Sequence, residues 1–299
     1  MATQNRREFL KSFTLISAGA LSLSSNSSRA ASVEKLSENR KGVLVDTTVC
    51  IGCRSCEWAC KQAHNLQTGS LETYDDRSVL KNKRRPDDQA LTVVNEFVNP
   101  KNSLIPTDVK VQCMHCEQPA CVSACIVGAF TKHPEGPVTW DSGKCIGCRY
   151  CMVACPFQIP SFEYSKALQP QIMKCDFCFS RTNNGLLPAC VEICPTEALT
   201  YGKRDELIAI AHQRIKRQPD RYFNHVLGEF EVGGTSWMYL AGQDFTKLDF
   251  PTLGEEPAPG VSEAIQHGIF SYFIPPIALF ALLGSVMWIN KNKRKPEEE

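Results

Sequence analysis

The cysteines are the feature that most restricts what this chain can fold into. The 299-residue sequence contains 16 of them, and every one belongs to a group of four closely spaced cysteines. Thiols grouped in this way are typical of metal centres, whereas a disulfide framework needs no such grouping. In chain order the groups are Cys50, Cys53, Cys56 and Cys60; Cys113, Cys116, Cys121 and Cys125; Cys145, Cys148, Cys151 and Cys155; and Cys175, Cys178, Cys190 and Cys194.

The first and third groups share the spacing C-x2-C-x2-C-x3-C, and the third is followed directly by Pro156. This pattern resembles the ligand run of bacterial two-cluster ferredoxins, in which three thiolates bind one iron–sulfur cube and the fourth binds its neighbour. The spacing therefore predicts four [4Fe-4S] clusters, arranged in pairs. Zinc is the competing metal because C-x2-C pairs also build tetrahedral zinc sites, although a zinc ribbon has no use for the third and fourth cysteines of each run.

Two internal repeats accompany the cysteine groups. Residues 43–60 align without gaps on residues 138–155, and residues 119–132 align on residues 188–201. Each repeated segment resembles half of a ferredoxin fold, so the sequence predicts an α+β fold with two ferredoxin-like units. The spacing does not decide how the halves pair. They can pair sequentially, first with second and third with fourth, or in a nested order, first with fourth and second with third.

Both ends of the chain carry segments that are typical of export and membrane attachment. Residues 1–30 combine Arg6 and Arg7 with an apolar, uncharged stretch, which resembles a twin-arginine signal peptide. Residues 268–289 contain no charged side chain and would span about 33 Å as a helix, enough to cross a bilayer core. The tail at 290–299 begins with basic residues, so the positive-inside rule predicts a cytoplasmic tail and periplasmic cysteine groups.

The segments between these parts predict a helix, a strand and a proline-rich linker. Residues 204–217 place apolar side chains at helical spacing, and residues 236–242 are typical of a strand. The predicted organisation is a twin-arginine signal peptide at 1–30; a four-cluster ferredoxin-like domain at 43–203 with an insertion at 61–112; an extension of helix, strand and linker at 204–262; a single transmembrane helix at 268–289; and a cytoplasmic tail at 290–299.

Charge and motifs exclude several classes of function. The formal net charge is +1, which gives no reason to expect a nucleic-acid partner. The basic run KNKRR at 81–85 is followed by Pro86 and two aspartates, and we interpret it as a solvated loop. The sequence contains no nucleophile–base arrangement, phosphate-binding glycine loop or dinucleotide fingerprint, so no catalytic residue is predicted.

The region from about 43 to 203 is similar to the four-cluster electron-transfer subunits of membrane-bound respiratory oxidoreductases. In that family the halves pair in the nested order, so the resemblance implies how the thiols are shared. The implied ligand sets are Cys50, Cys53, Cys56 and Cys194 for cluster 1; Cys60, Cys175, Cys178 and Cys190 for cluster 2; Cys113, Cys116, Cys121 and Cys155 for cluster 3; and Cys125, Cys145, Cys148 and Cys151 for cluster 4.

Within that class the chain resembles the iron–sulfur subunits of periplasmic, membrane-anchored nickel–iron hydrogenases of the hydrogenase-2 type. The resemblance rests on QCMHC at 112–116, GCRYCMVACPF at 147–157, LPACVEICP at 187–195, LAGQDFTKLDFPTL at 240–253, the signal peptide and the single anchor. It implies a non-catalytic subunit that relays electrons between two partners. One partner is the hydrogenase, with its small and large subunits, and the other is an integral membrane quinone-reactive subunit. The alternatives are the equivalent subunit of a periplasmic formate dehydrogenase or other molybdenum or tungsten oxidoreductase, and a zinc-binding structural module.

Overall fold

The computed structural model describes residues 37–102, 104–166, 168–260 and 278–289. The predicted signal peptide, the predicted cytoplasmic tail and residues 268–277 of the predicted transmembrane helix lie outside the described residues. Residues 278–289 are helical. Within the described ranges, no helix is both long enough and apolar enough to cross a membrane.

Short strands alternate with short helices along the described chain, and the fold is therefore mixed. The strands are β1 (Lys41–Asp46), β2 (Thr92–Phe97), β3 (Thr107–Gln112), β4 (Phe130–Lys132), β5 (Val138–Trp140), β6 (Ser161–Phe162), β7 (Ile172–Met173), β8 (Leu199–Lys203) and β9 (Trp237–Leu240). The helices are α1 (Ser55–Ala63), α2 (Ala120–Ser123), α3 (Tyr150–Ala154), α4 (Phe179–Asn183), α5 (Ala189–Glu192) and α6 (Arg204–Arg217).

A three-stranded sheet in the order β8-β1-β9 joins distant parts of the chain. Strand β1 is antiparallel to β8, with Val45 opposite Leu199, and parallel to β9. Because both faces of β1 are covered, residues 43–45 (VLV) form a continuous apolar run rather than an alternating pattern. On one face of the sheet, Leu44 packs against Leu207 and Ala211 of α6. Helix α6 occupies residues 204–217, where the sequence predicts a helix.

The cysteine groups are brought together in a nested order. Helix α1 of the first group packs against α5 of the fourth, and their strands β1 and β8 are hydrogen-bonded neighbours. Helix α2 of the second group packs against α3 of the third, and the flanking strands β4 and β5 form a hairpin. We refer to the first and fourth groups with these elements as the outer pair, and to the second and third groups as the inner pair.

The insertion at 61–112 is anchored by a buried carboxylate on α1. Its main element is the β2–β3 hairpin. Glu57 is 2 % exposed and accepts hydrogen bonds from the Val94 amide at 2.6 Å and from Arg84 Nη1 at 3.1 Å. Arg85, next in the chain, donates to the Phe157 carbonyl. The interpretation of the basic run at 81–85 as a solvated loop is therefore wrong for Arg84, which a buried carboxylate binds, whereas Arg85 is exposed apart from this one contact.

The proline-rich segment after β9 is attached to the folded body. The Val232 amide donates to the Gly254 carbonyl at 2.8 Å, and the Gly233 amide donates to the Glu255 carbonyl at 2.7 Å. Leu253 packs against the main hydrophobic core. Residues 251–258 therefore differ from the expected free linker, because their backbone groups and side chains have partners in the domain.

Candidate iron–sulfur centres

The two copies of the CIGCR sequence adopt the same backbone conformation. Gly52 and Arg54 have φ angles of 63° and 59°, and Gly147 and Arg149 have φ angles of 70° and 61°. Left-handed residues at alternate positions turn the chain tightly, and glycine accepts this conformation at no steric cost. A helix starts directly after each loop, so the third cysteine of each group lies in the first turn of α1 or α3.

The thiols predicted for cluster 1 meet at the outer pair. Burial raises the pKa of the Cys50 thiol to about 12, and the thiolates of Cys194 and Cys53 act in the same direction. The pKa of Cys56 is also raised, first by burial and then by neighbouring charges that include Cys50. Cys50 thus lies within electrostatic reach of two cysteines of its own group and of one that is 144 positions later.

The thiols predicted for cluster 2 lie beside them. Burial raises the pKa of Cys175, with added contributions from the thiolates of Cys60 and Cys178. The pKa of Cys178 is raised to about 11 by burial, by Cys190 and by Cys60. Cys60, the last cysteine of the first group, is therefore close enough to interact electrostatically with three cysteines of the fourth group.

The thiols predicted for cluster 3 meet at the inner pair. Burial raises the pKa of Cys116 well above its usual value, and Cys155, Cys113 and Cys121 raise it further. The pKa of Cys121 is raised in the same way, by burial and by the thiolates of Cys113 and Cys155. Cys155, the last cysteine of the third group, thus lies with three cysteines of the second group.

The thiols predicted for cluster 4 form the most accessible set. Burial raises the pKa of Cys151 to about 12, followed by the charges of Cys148, Cys145 and Cys125. Cys148 is exposed, and it is alone among the 16 cysteines in being so. This set therefore lies closest to the surface of the protein.

Each pair contains two adjacent sets. In the outer pair, the Cys190 thiolate raises the pKa of Cys56 across the boundary between the first two sets. In the inner pair, Cys151 acts on Cys121 across the boundary between the other two. The arrangement is chemically suited to two pairs of neighbouring metal centres.

The residues present fit iron–sulfur clusters. All 16 cysteines lie in the described part of the chain and all are free thiols. Sulfur ligands are the soft donors that such clusters require, and metal binding removes their protons despite burial. Backbone amides point at several of the sulfurs, a contact that tunes cluster potential. The Gly147 amide donates to Cys145 Sγ at 3.4 Å, and the Ala129 amide donates to Cys125 Sγ at 3.2 Å.

The two arginines at equivalent positions of the repeat have different surroundings. Arg54 is buried, donates to the Asp76 carbonyl at 3.0 Å and lies 3.4 Å from the Glu57 carboxylate. Arg149 stacks over the rings of Phe162 and Tyr164, at 5.4 and 5.8 Å from their centroids. Both arginines therefore lie over aromatic rings, since Arg54 is 4.9 Å from the centroid of Tyr74, but only Arg54 also has a carboxylate beside it.

His115 lies inside the second group and is fully buried. Its Nδ1 accepts a hydrogen bond from the Val138 amide at 2.9 Å, which places the proton on Nε2. Burial lowers the pKa of the ring well below its usual value, and Lys174 and Lys132 lower it further. His115 is therefore a neutral imidazole with its proton on Nε2, buried at the inner pair.

One ion pair beside the thiols could not be found from sequence patterns. His64 Nε2 lies 2.8 Å from Asp176 Oδ1, and the two residues are 112 positions apart. Burial lowers the pKa of His64, but the hydrogen bonds to Asp176 and Cys60 outweigh burial and raise it to about 12. The pair, with the Cys178 sulfur nearby, links the first and fourth groups.

Comparison with known proteins identifies iron–sulfur relatives of this chain. The model of the 4Fe-4S dicluster domain matches residues 108–204. A protein of Nitratidesulfovibrio vulgaris is 52% identical over 219 residues, which are 73% of this chain and 59% of that protein, so this chain spans less than two thirds of its length. The hydrogenase-2 operon protein HybA of Escherichia coli O157:H7 is 32% identical over 99% of this chain and 98% of its own length. The iron–sulfur subunit of the nitrate-inducible formate dehydrogenase of Escherichia coli K12 is 30% identical over 86% and 87%.

The mixed fold, the grouped thiols and the matched domain define a ferredoxin-like protein that binds [4Fe-4S] clusters. Since the similarity to HybA extends over nearly the whole of both chains, the relationship is more specific than a shared domain. The chain belongs to the family of iron–sulfur electron-transfer subunits that includes HybA, and the formate dehydrogenase iron–sulfur subunits are related to it.

Proposed function

We propose that this chain is the electron-transfer subunit of a periplasmic nickel–iron hydrogenase complex and relays electrons, one at a time, through four [4Fe-4S] clusters toward a membrane quinone-reactive subunit. The observation that carries the proposal is the association of all 16 thiols in four sets of four, two sets in each pair. The clusters supply the reversible one-electron chemistry, and the chain supplies ligands, burial and hydrogen bonds that set their potentials. No catalytic residue is assigned, and the subunit is proposed to be non-catalytic on its own.

The ligand sets are proposed as the resemblance implies them, because the thiols that act on one another are those of the nested order. Three serine variants test this. In the nested order Cys194→Ser removes the same cluster signal as Cys50→Ser, whereas in the sequential order it removes the signal that Cys148→Ser removes. Electron paramagnetic resonance of the dithionite-reduced variants distinguishes the two outcomes, since each lost ligand affects one cluster.

The cofactor itself is tested by iron and acid-labile sulfide analysis of the anaerobically purified protein. We expect about four irons per set of four thiols, together with the resonance signals of reduced [4Fe-4S] clusters. Protein that contains zinc and no iron would refute the electron-transfer function and favour a structural zinc module.

The hydrogenase is preferred as the partner because the similarity to HybA covers the chain almost end to end, more than the similarity to the formate dehydrogenase subunit does. The proposed partners are the hydrogenase small and large subunits and an integral membrane quinone-reactive subunit. Purification of the complex from detergent-solubilised membranes, followed by metal analysis, tests this choice. Nickel supports the hydrogenase, and molybdenum or tungsten without nickel supports the formate dehydrogenase or a related enzyme.

The proposed location is the periplasmic face of the inner membrane, with export by the twin-arginine route and a C-terminal membrane anchor at 268–289. The described part of that segment supports an anchor, since Phe280, Met287 and Trp288 are between 67% and 77% exposed. The proposed domain organisation is the one given by the sequence, with the four-cluster domain at 43–203. Replacement of Arg6 and Arg7 by lysine should leave the protein in the cytoplasm, and protease treatment of spheroplasts would detect this.

A further inference from the structure

A lysine is buried in the middle of the outer pair. Lys110 belongs to β3 and is 3 % exposed. Its ammonium group donates hydrogen bonds to Thr92 Oγ1 and Gln112 Oε1, each at 2.8 Å, and lies 4.5 Å from the centroid of the Trp237 ring. Two neutral acceptors and an aromatic face hold this ammonium in one position.

No carboxylate balances the charge of Lys110. Among the described residues, no Asp or Glu oxygen forms an ion pair with its ammonium within 4.0 Å. Lys110 lines one cavity together with Cys50, Cys53, Cys56 and Cys194, the four thiols predicted for cluster 1. Burial disfavours the charged form, yet the thiolates of Cys190, Cys56 and Cys175 raise the pKa of Lys110. A buried charge without a counter-charge is strongly unfavourable, so the thiolates are its counter-charge.

One buried lysine of the inner pair, Lys132, shows a contrast. Lys132 also lies near thiolates, those of Cys116 and Cys113. Its ammonium, however, donates to the Gly136 carbonyl at 2.7 Å and has the Glu117 carboxylate at 3.8 Å. Lys132 therefore has a carboxylate within ion-pair distance, which it shares with Arg40 at 2.9 Å, whereas Lys110 has none among the described residues.

The three thiolates that balance Lys110 come from both sets of the outer pair. Cys56 belongs to the set of cluster 1, and Cys175 and Cys190 belong to the set of cluster 2. We propose that the Lys110 ammonium is a permanent positive charge shared by the two cluster sites of the outer pair, and that it raises the reduction potentials of both. This inference rests on the proposed function, because it requires [4Fe-4S] clusters at these thiols.

The physical reason is electrostatic. Reduction adds one electron and therefore one negative charge to a thiolate-ligated site, and a fixed cation nearby stabilises that charge in a medium of low dielectric. Lys110 is already protonated, so no proton accompanies the electron. Because one charge acts on both sites, the two reduction potentials shift in the same direction. The difference between the two potentials, which drives electron transfer from one cluster to the other, therefore changes little. Thr92 and Gln112 act as positioning residues that hold the ammonium between the sites.

The test is a redox titration of the whole protein, monitored by electron paramagnetic resonance. Lys110→Met should lower the midpoint potentials of both outer-pair clusters and leave the inner-pair clusters unchanged. We expect the ratio of reduced to oxidised cluster, at a fixed potential, to fall at least tenfold, which is about 59 mV for one electron. Lys110→Arg keeps the charge and should restore the potentials. Lys83→Met, the same change at an exposed lysine, should have no effect.

A second variant tests the inference even if Lys110→Met does not fold. Gln112→Glu keeps the lysine and places a carboxylate on its ammonium, so the outer-pair potentials should fall even if Lys110→Met fails to take up its clusters. The serine variants described above identify which signals belong to the outer pair. Unchanged potentials in Gln112→Glu, or in a fully loaded Lys110→Met, would overturn the inference alone. A native protein without iron–sulfur signals would instead overturn the proposed function.

Discussion

The two CIGCR loops allow a matched test of how one glycine supports one cluster site. At Gly52 an added Cβ would lie within 2.6 Å of Arg77 Nη1 and closer still to the Asp108 carboxylate, which is itself buried. At Gly147, the equivalent position of the repeat, the nearest atoms are two carbons of the Phe162 ring at 3.6 and 3.8 Å, an ordinary contact. Both glycines have a positive φ, so alanine introduces the same backbone strain at each.

The magnitudes follow from these contacts. Left-handed alanine costs about 1 kcal/mol, which is the whole expected effect of Gly147→Ala. Gly52→Ala must also displace the Asp108 carboxylate from Arg77, to which it is held at 3.1 Å. Separating a buried ion pair costs about 3–5 kcal/mol, and we take about 2–3 kcal/mol because Arg77 is partly exposed to solvent. The two variants should therefore differ by roughly 30- to 140-fold in the rate of cluster loss, since 1.4 kcal/mol is tenfold.

The assay measures iron release to a chelator from anaerobically purified protein, with electron paramagnetic resonance of the signals that remain. Gly52→Ala should lose cluster 1 first, the signal that is also missing in Cys50→Ser. Gly147→Ala should lose its clusters only slightly faster than the native protein. Equal rates in the two variants, or early loss of another signal in Gly52→Ala, would refute this reasoning.

Three further predictions concern the rest of the fold. Glu57→Gln should weaken the attachment of the insertion by about 3 kcal/mol, because Arg84 loses its buried partner. Limited proteolysis within 61–112 should therefore become faster. Glu72→Gln, the same change at an exposed position, should leave the rate of proteolysis unchanged. Burial raises the pKa of Asp108 from 3.8 to about 6. The contribution of the protonated carboxyl group to stability is therefore fully present below pH 3.8 and is lost as the pH rises through about 6. Asp108→Asn should remove this pH dependence from the apparent melting temperature. After iron removal, hydrogen exchange should remain slow in α6, whose core contains no cysteine, and become fast at 145–155, and equal exchange in both would contradict this expectation.

Local patterns predicted the parts of the fold that short segments determine. The cysteine spacing and the repeats located the loops before α1 and α3, and the periodicity of residues 204–217 located α6. The pairing of β1 with β8 depends on contacts between segments about 150 residues apart, so the nested order came from family resemblance and not from spacing. The basic run was misread for the same reason, since the carboxylate of Glu57 that binds Arg84 lies 27 positions earlier.

Buried polar side chains were the other part that the sequence did not reveal. Lys110 lies in the strand sequence TDVKVQ, whose polar alternate positions are typical of a solvent-facing edge. In the fold this polar face is covered by three different residues. Trp237 lies against Lys110, Tyr239 accepts a hydrogen bond from Gln112, and Arg77 pairs with Asp108, so all three polar side chains are buried. Covering of a polar face is a tertiary event, and periodicity alone carries no information about it.

The nested order of the strands also determines when each half of the protein can be completed during its synthesis. The inner pair has all its cysteines once residue 155 has been added, whereas β1 has no antiparallel partner until β8 has been synthesised, which requires residue 203. Chains grow from the N-terminus at about 5–20 residues per second, so the first cysteine group waits several seconds for its partner while the later groups assemble. A nascent chain that stops early therefore contains every cysteine of the inner pair, but its first group lacks the partner group. Formation of the β1–β8 contact occurs only in a chain whose cysteine region has been translated in full.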